Sequence, residues 1–314
     1  MVTQSPELKL SNGQRIPMVG LGTPTREEAQ GGLPVDQVIE QALRQGYRLI
    51  DTAYVNENEQ EVGEGLKRAF DQNIVRREEV FVVSKLWNTF HRAEKVEQGV
   101  RESLKALKLE QLDLYLMHWP ISMVPDQGLW PKEGGRVKLD KEADFVQTWK
   151  AMEKLVEMKL VKSIGLSNVN KDQLQRIVKE GKIRPAVIQN EVHPYCRDQE
   201  LLDYCQKEDI VVMAYSPFGH SDRQRSDLLK NDTIQEISEK ERLTPAQVVL
   251  LWNLTENRVV IPRAANQQQI KEDFEFLTKM HKLPKEEAKK IDQLSRGKQV
   301  RTADPQQIFN VKIF

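Results

Sequence analysis

Three polar residues close three successive apolar runs: Asp51 ends RLID, Lys85 ends VFVVSK and His118 ends LDLYLMH. A carboxylate, an ammonium and an imidazole are the groups with which proteins hold and move protons. Any one of them is costly to bury unpaired at the end of an apolar strand. Taken together they read as an arrangement that tunes a pKa, because an ammonium beside a carboxylate shifts the titration of whatever lies next to both. Later apolar runs end in the same way, on Ser167-Asn168, Gln189-Asn190-Glu191, Tyr215-Ser216 and Arg263. An isolated Asp or Lys at a strand end is more often a loop anchor than a catalyst, so it is the repetition that points to a site.

The elements that must position these residues follow from the changing period of the apolar signal. Short apolar runs recur as MVGLG at 18, RLI at 48, VFVV at 80, LDLYLM at 112, SIGL at 163, AVI at 186, IVVMAY at 210 and RVVI at 258. These read as eight buried strands. Between them, Ala93, Val96, Val100, Leu104 and Leu107 fall at helical spacing within 91–108, as do Phe145, Trp149, Met152 and Val156 within 144–158. Thr244, Pro245 and Gln247 supply an N-cap, a first-turn proline and a capping-box partner for another helix. Strands alternating with helices imply right-handed crossovers and a parallel sheet. Eight such units predict a single closed (β/α)8 barrel over residues 1–314, with its chemistry at the C-terminal ends of the strands.

Outside that count, Asn12-Gly13 predicts a hairpin with a two-residue turn over 8–17, placed to close the barrel floor. Residues 285–314 should follow the last barrel helix and end in a short helix and an irregular tail. Long connections are expected at 120–143 and 216–230. With the tail, they should ring the mouth and select the substrate.

Bulk properties exclude several classes. Forty-seven Lys and Arg balance 47 Asp and Glu, so no global field recruits nucleic acid or an anionic membrane. The chain has no apolar stretch of the roughly 20 residues that span a bilayer, and its start lacks a signal-like apolar core. Cys196 and Cys205 have no disulfide-like spacing, which fits a reducing compartment. A cytoplasmic monomer acting on a small molecule is expected. With His193, the two cysteines lack a fourth partner for a metal site, and no metal is expected.

Seven segments carry a resemblance: GYRLIDTAYVNENEQEVG (46–63), VVSKLW (82–87), LDLYLMHWP (112–120), IGLSN (164–168), IQNEVHPY (188–195), AYSPFG (214–219) and VIPRA (260–264). In order and spacing, over nearly the whole chain, they resemble the aldo-keto reductase superfamily, of the aldose and aldehyde reductase type. The resemblance implies NADPH-dependent reduction of aldehydes or ketones. Consistently, no G-x-G-x-x-G follows a strand. It implies that the nicotinamide stacks on Tyr215 and is held by Ser167, Asn168 and Gln189, with Thr23, Asp51, Ser216 and Phe218 completing that end of the cofactor site. It implies that His118 orients the carbonyl. Asp51 and Lys85 would acidify a phenol that protonates the developing alkoxide.

That phenol is where the chain departs. The family pattern places it five residues after Asp51, where Asn56 stands; Val62 and Gly63 keep the expected spacing, so Tyr54 cannot slide into register. An amide can donate a hydrogen bond but cannot give up a proton near neutral pH. Three explanations stay open. Tyr54 swings into the mouth, His118 or a water held by Asn56 and Lys85 delivers the proton, or the protein binds cofactor with little turnover, as a crystallin-like or regulatory relative would.

The resemblance also places Arg263, Ala264 and Gln269 where the family grips the adenosine 2′-phosphate, with Asn266, Glu272 and Asp273 along the adenosine. One cation is kept and another lost, so NADPH is expected with a reduced preference over NADH. His220 lies beside the expected pyrophosphate path. Trp87 and Trp119 are expected to wall the substrate pocket, with Trp130 as a further loop candidate. Pro24 and the Gly31-Gly32 extension should leave the pocket wider on the side of the first strand.

Overall fold

A computed structural model describes residues 5–24, 32–219, 222–263, 270–271, 274, 282–296 and 300–314, with the side chains of 222–224 left aside. Ala264, Asn266, Gln269, Glu272 and Asp273, together with His220 and Gly31, lie outside the described residues.

An antiparallel hairpin, β1 (Glu7–Lys9) and β2 (Arg15–Pro17), precedes the first barrel strand, β3 (Leu21–Gly22). Then follow α1 (Val35–Gln45), β4 (Leu49–Asp51), α2 (Glu59–Asp71), β5 (Phe81–Leu86), α3 (Val96–Leu107) and β6 (Leu112–Met117). A small hairpin, β7 (Lys132–Glu133) and β8 (Arg136–Val137), leads to α4 (Phe145–Glu157), β9 (Val161–Ser167), α5 (Lys171–Glu180), β10 (Val187–Glu191), α6 (Gln199–Lys207) and β11 (Val211–Tyr215). The chain continues through α7 (Asp222–Leu229), α8 (Asp232–Glu241), α9 (Pro245–Thr255) and β12 (Val259–Ile261). Two helices, Lys285–Asp292 and Pro305–Phe309, lie beyond.

The eight long-range strands run parallel in the order β3-β4-β5-β6-β9-β10-β11-β12. Parallel bridges from Val19 to Val260 and from Gly22 to Arg263 bring the last strand back to the first. All eight strands coincide with the eight apolar runs, and the fold is the expected (β/α)8 barrel.

Alternation along the strands decides what faces inward. Leu49, Phe81, Val83, Leu114, Leu116, Val187, Met213, Val259 and Ile261 share one buried cluster with Leu10 and Ile16 of the hairpin. Ile50, Val82, Tyr115, Met117, Ile164, Ile188, Val212 and Val260 pack instead against the helices. Continuing the inward set by two residues at each strand end reaches Asp51, Lys85, His118, Ser167, Gln189, Tyr215 and Arg263. The polar mouth is the next layer of an otherwise apolar barrel.

Helix packing holds the register. On α1, Val35, Val38, Ile39, Ala42 and Leu43 form the buried stripe, and Gly46 ends the helix at φ 117. At Gly63, on α2, a Cβ would come within 2.8 Å of Leu107 Cα, so the glycine permits the close approach of α2 to α3. Helix α9 starts at the expected Thr244 capping box and is buried on all sides from Val248 to Leu254.

One expectation is corrected, and the two long connections gain structure of their own. The hairpin loop has three residues, not two: Leu10 N–H donates to Gln14 O at 2.8 Å, Gly13 N–H to Leu10 O at 2.9 Å, and Gly13 adopts φ +89. This is the wider turn with glycine in the left-handed position. The connection at 120–143 contains the β7-β8 hairpin, turned by Gly134 and Gly135 at φ +58 and +80. The connection at 216–230 contains α7.

Candidate active site

Asp51 and Lys85 end adjacent strands and meet across them. Lys85 Nζ donates to Asp51 Oδ2 at 2.8 Å and Oδ1 at 3.0 Å, and to Thr52 O at 2.8 Å. Gln189 Nε2, from the far side of the barrel, donates to Asp51 Oδ1 at 2.8 Å. Asp51 and Lys85 are both buried. Burial lowers the Lys85 pKa, against the opposing pull of Asp51.

His118 joins the same floor, with Asn168 Nδ2 donating to its backbone oxygen at 2.9 Å. Burial and the Lys85 ammonium hold its imidazole well below the ordinary value, so the ring is neutral at neutral pH. Tyr215 Oη donates to Asn168 Oδ1 at 2.6 Å, and Ser167 Oγ donates to Gln189 O at 2.7 Å. Asn168 reaches both neighbours from a left-handed backbone at φ 58, a conformation that asparagine tolerates better than most residues.

These groups line a cavity of about 390 Å3, within the size range of small-molecule sites. Thr23, Asp51, Asn56, Lys85, His118, Trp119, Ser167, Asn168, Gln189, Tyr215, Ser216 and Arg263 all open onto it. Asn56 Nδ2 donates to Thr23 Oγ1 at 3.4 Å, and Thr23 Oγ1 in turn to Thr52 Oγ1 at 3.2 Å.

Tyr54 is placed elsewhere, which corrects its assignment to the mouth. It begins the 3-10 turn Tyr54–Asn56, and its hydroxyl donates to Glu102 Oε2 at 2.9 Å, while its ring meets Phe90 edge-on at 5.1 Å. It lines a second cavity, between α2, α3 and the loop at Asp126–Leu129. Burial and Glu102 push its phenol up to about 12, the opposite of acidification. Phe218 is also off the first cavity, lying 5.2 Å beneath the Arg225 guanidinium.

Of the two tryptophans expected to wall the pocket, Trp119 lines the cavity and Trp87 does not. Trp119 meets the Phe309 ring at 5.2 Å. Trp87 stands behind the cavity, 5.3 Å from the His118 ring, and supports Trp130 at 4.8 Å; Trp130 stacks on Phe309 at 6.0 Å. Trp87 Nε1 donates to Leu129 O at 2.7 Å, which ties the 120–143 connection to the strand end.

Sequence reasoning missed Thr302, Ala303 and Ile308, tail residues that line the cavity. The available signal was Asp304-Pro305, an N-cap followed by a first-turn proline; Asp304 Oδ1 accepts from Gln306 N at 2.9 Å. Glu191, His193 and Cys196 also gather, with candidate ligand atoms within 4.8 Å of one another. His193 Nδ1 accepts from Tyr195 N at 3.2 Å and Nε2 pairs with Glu191 at 2.9 Å, while burial pushes the Cys196 thiol up to about 12. Both imidazole nitrogens are thus engaged in hydrogen bonds.

Among the described residues no helix is long and apolar enough to cross a membrane. The family model for the Aldo/keto reductase family matches residues 19–296. Aldo-keto reductase family 1 member A1 of Gallus gallus is 40% identical over 295 residues, covering 92% of this chain and 88% of that protein. Aldose reductase of Encephalitozoon cuniculi is 36% identical over 289 residues, covering 92% and 93%. The solved aldose reductase of Schistosoma japonicum superposes with a TM-score of 0.87 at 37% identity, covering 98% of each chain. The aldo-keto reductase of Bombyx mori, solved in complex with NADP, superposes with a TM-score of 0.88 at 34% identity, covering 99% of this chain and 98% of that one. With the barrel and its polar mouth, these likenesses show that the chain belongs to the aldo/keto reductase family.

Proposed function

We propose that this chain reduces aldehydes or ketones to alcohols with NADPH, and that the proton comes from a water molecule rather than from a side chain. The observation that carries the reading is the buried Lys85 and Asp51 pair on the floor of the cavity, beside a neutral His118. Supporting it, the relative from Bombyx mori is solved in complex with NADP.

The residues present fit such a cofactor. Tyr215 offers a ring at the cavity wall, and Ser167, Asn168 and Gln189 offer amide and hydroxyl groups for a carboxamide. Arg263 offers a cation for phosphate. Bound there, NADPH supplies a hydride to the carbonyl carbon.

The protein's own groups handle the oxygen. A neutral His118 can donate one hydrogen bond to the substrate carbonyl and orient it, but it holds no second proton to give. Lys85 stabilises the negative charge that develops on that oxygen. Asn56, which lies where the family pattern carries tyrosine, holds the water whose proton passes to the alkoxide, and bulk solvent restores that proton through the open mouth. A neutral water is a weaker acid than a phenol acidified by an adjacent ammonium, so turnover is slow for the family.

One observation favours a second reading, a cofactor-binding homologue with little or no turnover: neither Asn56 nor the outward-facing Tyr54 presents an acid to the cavity. NADPH oxidation by the purified protein with a reactive aromatic aldehyde, beside direct titration of NADPH binding, separates the two. Turnover supports reduction; binding without turnover establishes the homologue.

A further inference from the structure

Glu191 stands at the mouth end of β10, two residues beyond Gln189, and is 1% exposed. A carboxylate this deep is tolerated only when its acceptor sites are used. His193 Nε2 approaches it at 2.9 Å, and the other donors come from the C-terminal tail. Thr302 N–H donates at 3.0 Å to both oxygens, Thr302 Oγ1 at 2.6 Å to Oε1, and Ala303 N–H at 2.9 Å to Oε2. Just before them, Val300 N–H donates to Tyr195 O at 2.8 Å, so the tail docks at successive points on one strand-end turn.

What the carboxylate holds is one wall of the cavity. Thr302 and Ala303 line it directly, and the helix Pro305–Phe309 that follows brings Ile308 to it and sets Phe309 edge-on against Trp119 and stacked on Trp130. We propose that Glu191 is a positioning residue that sets which carbonyl compounds the cavity accepts, since bulky apolar ones need the wall it holds and small ones do not. The proposal rests on the cavity being the carbonyl site.

The test compares Glu191→Gln with the natural chain, both with NADP+ present. Tryptophan fluorescence reads the binding of 2-naphthaldehyde and propanal, and hydrogen exchange reads the amides of Thr302 and Ala303. The amide side chain of Gln would set a donor against those N–H groups. The two amides should then exchange at least about tenfold faster, with 2-naphthaldehyde affinity falling about tenfold and propanal and NADP+ affinities staying within about twofold. Thr302→Val removes one bond to the same carboxylate at equal volume and should move in the same direction by less, which decides the matter if Glu191→Gln fails to fold. The proposal is overturned by unchanged exchange, by faster exchange with both aldehydes bound as before, by equal weakening of both, or by a natural chain that binds neither. Because binding is read without turnover, a chain that binds both aldehydes and oxidises no NADPH defeats the reductase reading and leaves this result standing.

Discussion

Tyr54 and Asn56 stand two residues apart on one 3-10 turn, yet they face different cavities. Asn56 opens onto the polar mouth, while the Tyr54 hydroxyl is spent on Glu102. On the proposed reading, Asn56→Tyr restores a side-chain acid beside Lys85. It should raise turnover about 10²- to 10⁴-fold, the usual contribution of a general acid. Tyr54→Phe should leave turnover within about twofold, because the phenol that it removes faces away from the mouth. Steady-state rates of the two variants check this, and a collapse of turnover in Tyr54→Phe would return the phenol to the mechanism.

Lys85 and Asp51 form a buried pair, and removing one partner strands the other. Lys85→Met should cost about 3–5 kcal/mol of stability by leaving a buried carboxylate that, among the described residues, keeps Gln189 as its side-chain partner. The double variant Asp51→Asn with Lys85→Met should recover much of that loss, since it buries no charge. Urea unfolding of both proteins measures it; a single variant as stable as the natural chain would show that water reaches the pair.

The pH dependence of turnover separates His118 from solvent as the proton source. With its pKa held well below the ordinary imidazole value, His118 is uncharged across the neutral range. The profile of kcat/KM should therefore show no limb near about pH 6.5 that His118→Ala removes. Turnover should still fall in His118→Ala through loss of carbonyl orientation. Appearance of such a limb in the natural protein, and its loss in the variant, would make the imidazolium the acid.

Much of this arrangement was legible because the barrel repeats one rule. The eight apolar runs marked the eight strands, and the polar residues closing those runs were Asp51, Lys85, His118 and Gln189. What spacing along the chain could not give was side-chain direction within an irregular turn. Tyr54 lies near enough in sequence to substitute for an acid, and only the course of the 3-10 turn sends it to Glu102. The tail was expected at the mouth, but not the residues that reach it, because Thr302 and Ala303 are held there through a carboxylate 111 and 112 residues away. No local period records such a contact.

Arg263 follows β12 and opens onto the cavity from the strand end. If it holds the 2′-phosphate, Arg263→Ala should weaken NADPH binding by about 10- to 100-fold, the worth of a charge-assisted contact, and leave NADH binding nearly unchanged. Fluorescence titration with each nucleotide tests this. Equal losses for both would assign Arg263 to the mouth's architecture instead.

Glu191 links the tail to pH. Burial alone would raise its pKa, but hydrogen bonds from His193, Thr302 and Ala303 outweigh burial and bring it to about 2, below the ordinary value of 4.5. A carboxylate with a lowered folded pKa contributes stability that is fully present above its unfolded value and is lost as pH falls through the folded one. The displacement corresponds to roughly 3 kcal/mol at most. The stability gap between the natural chain and Glu191→Gln should therefore be widest near neutral pH and narrow as pH falls from about 4.5 to 2. Denaturant unfolding of both proteins across that range measures the gap. A gap that stayed constant would mean that the tail is held by the shape of the turn and not by the charge of Glu191.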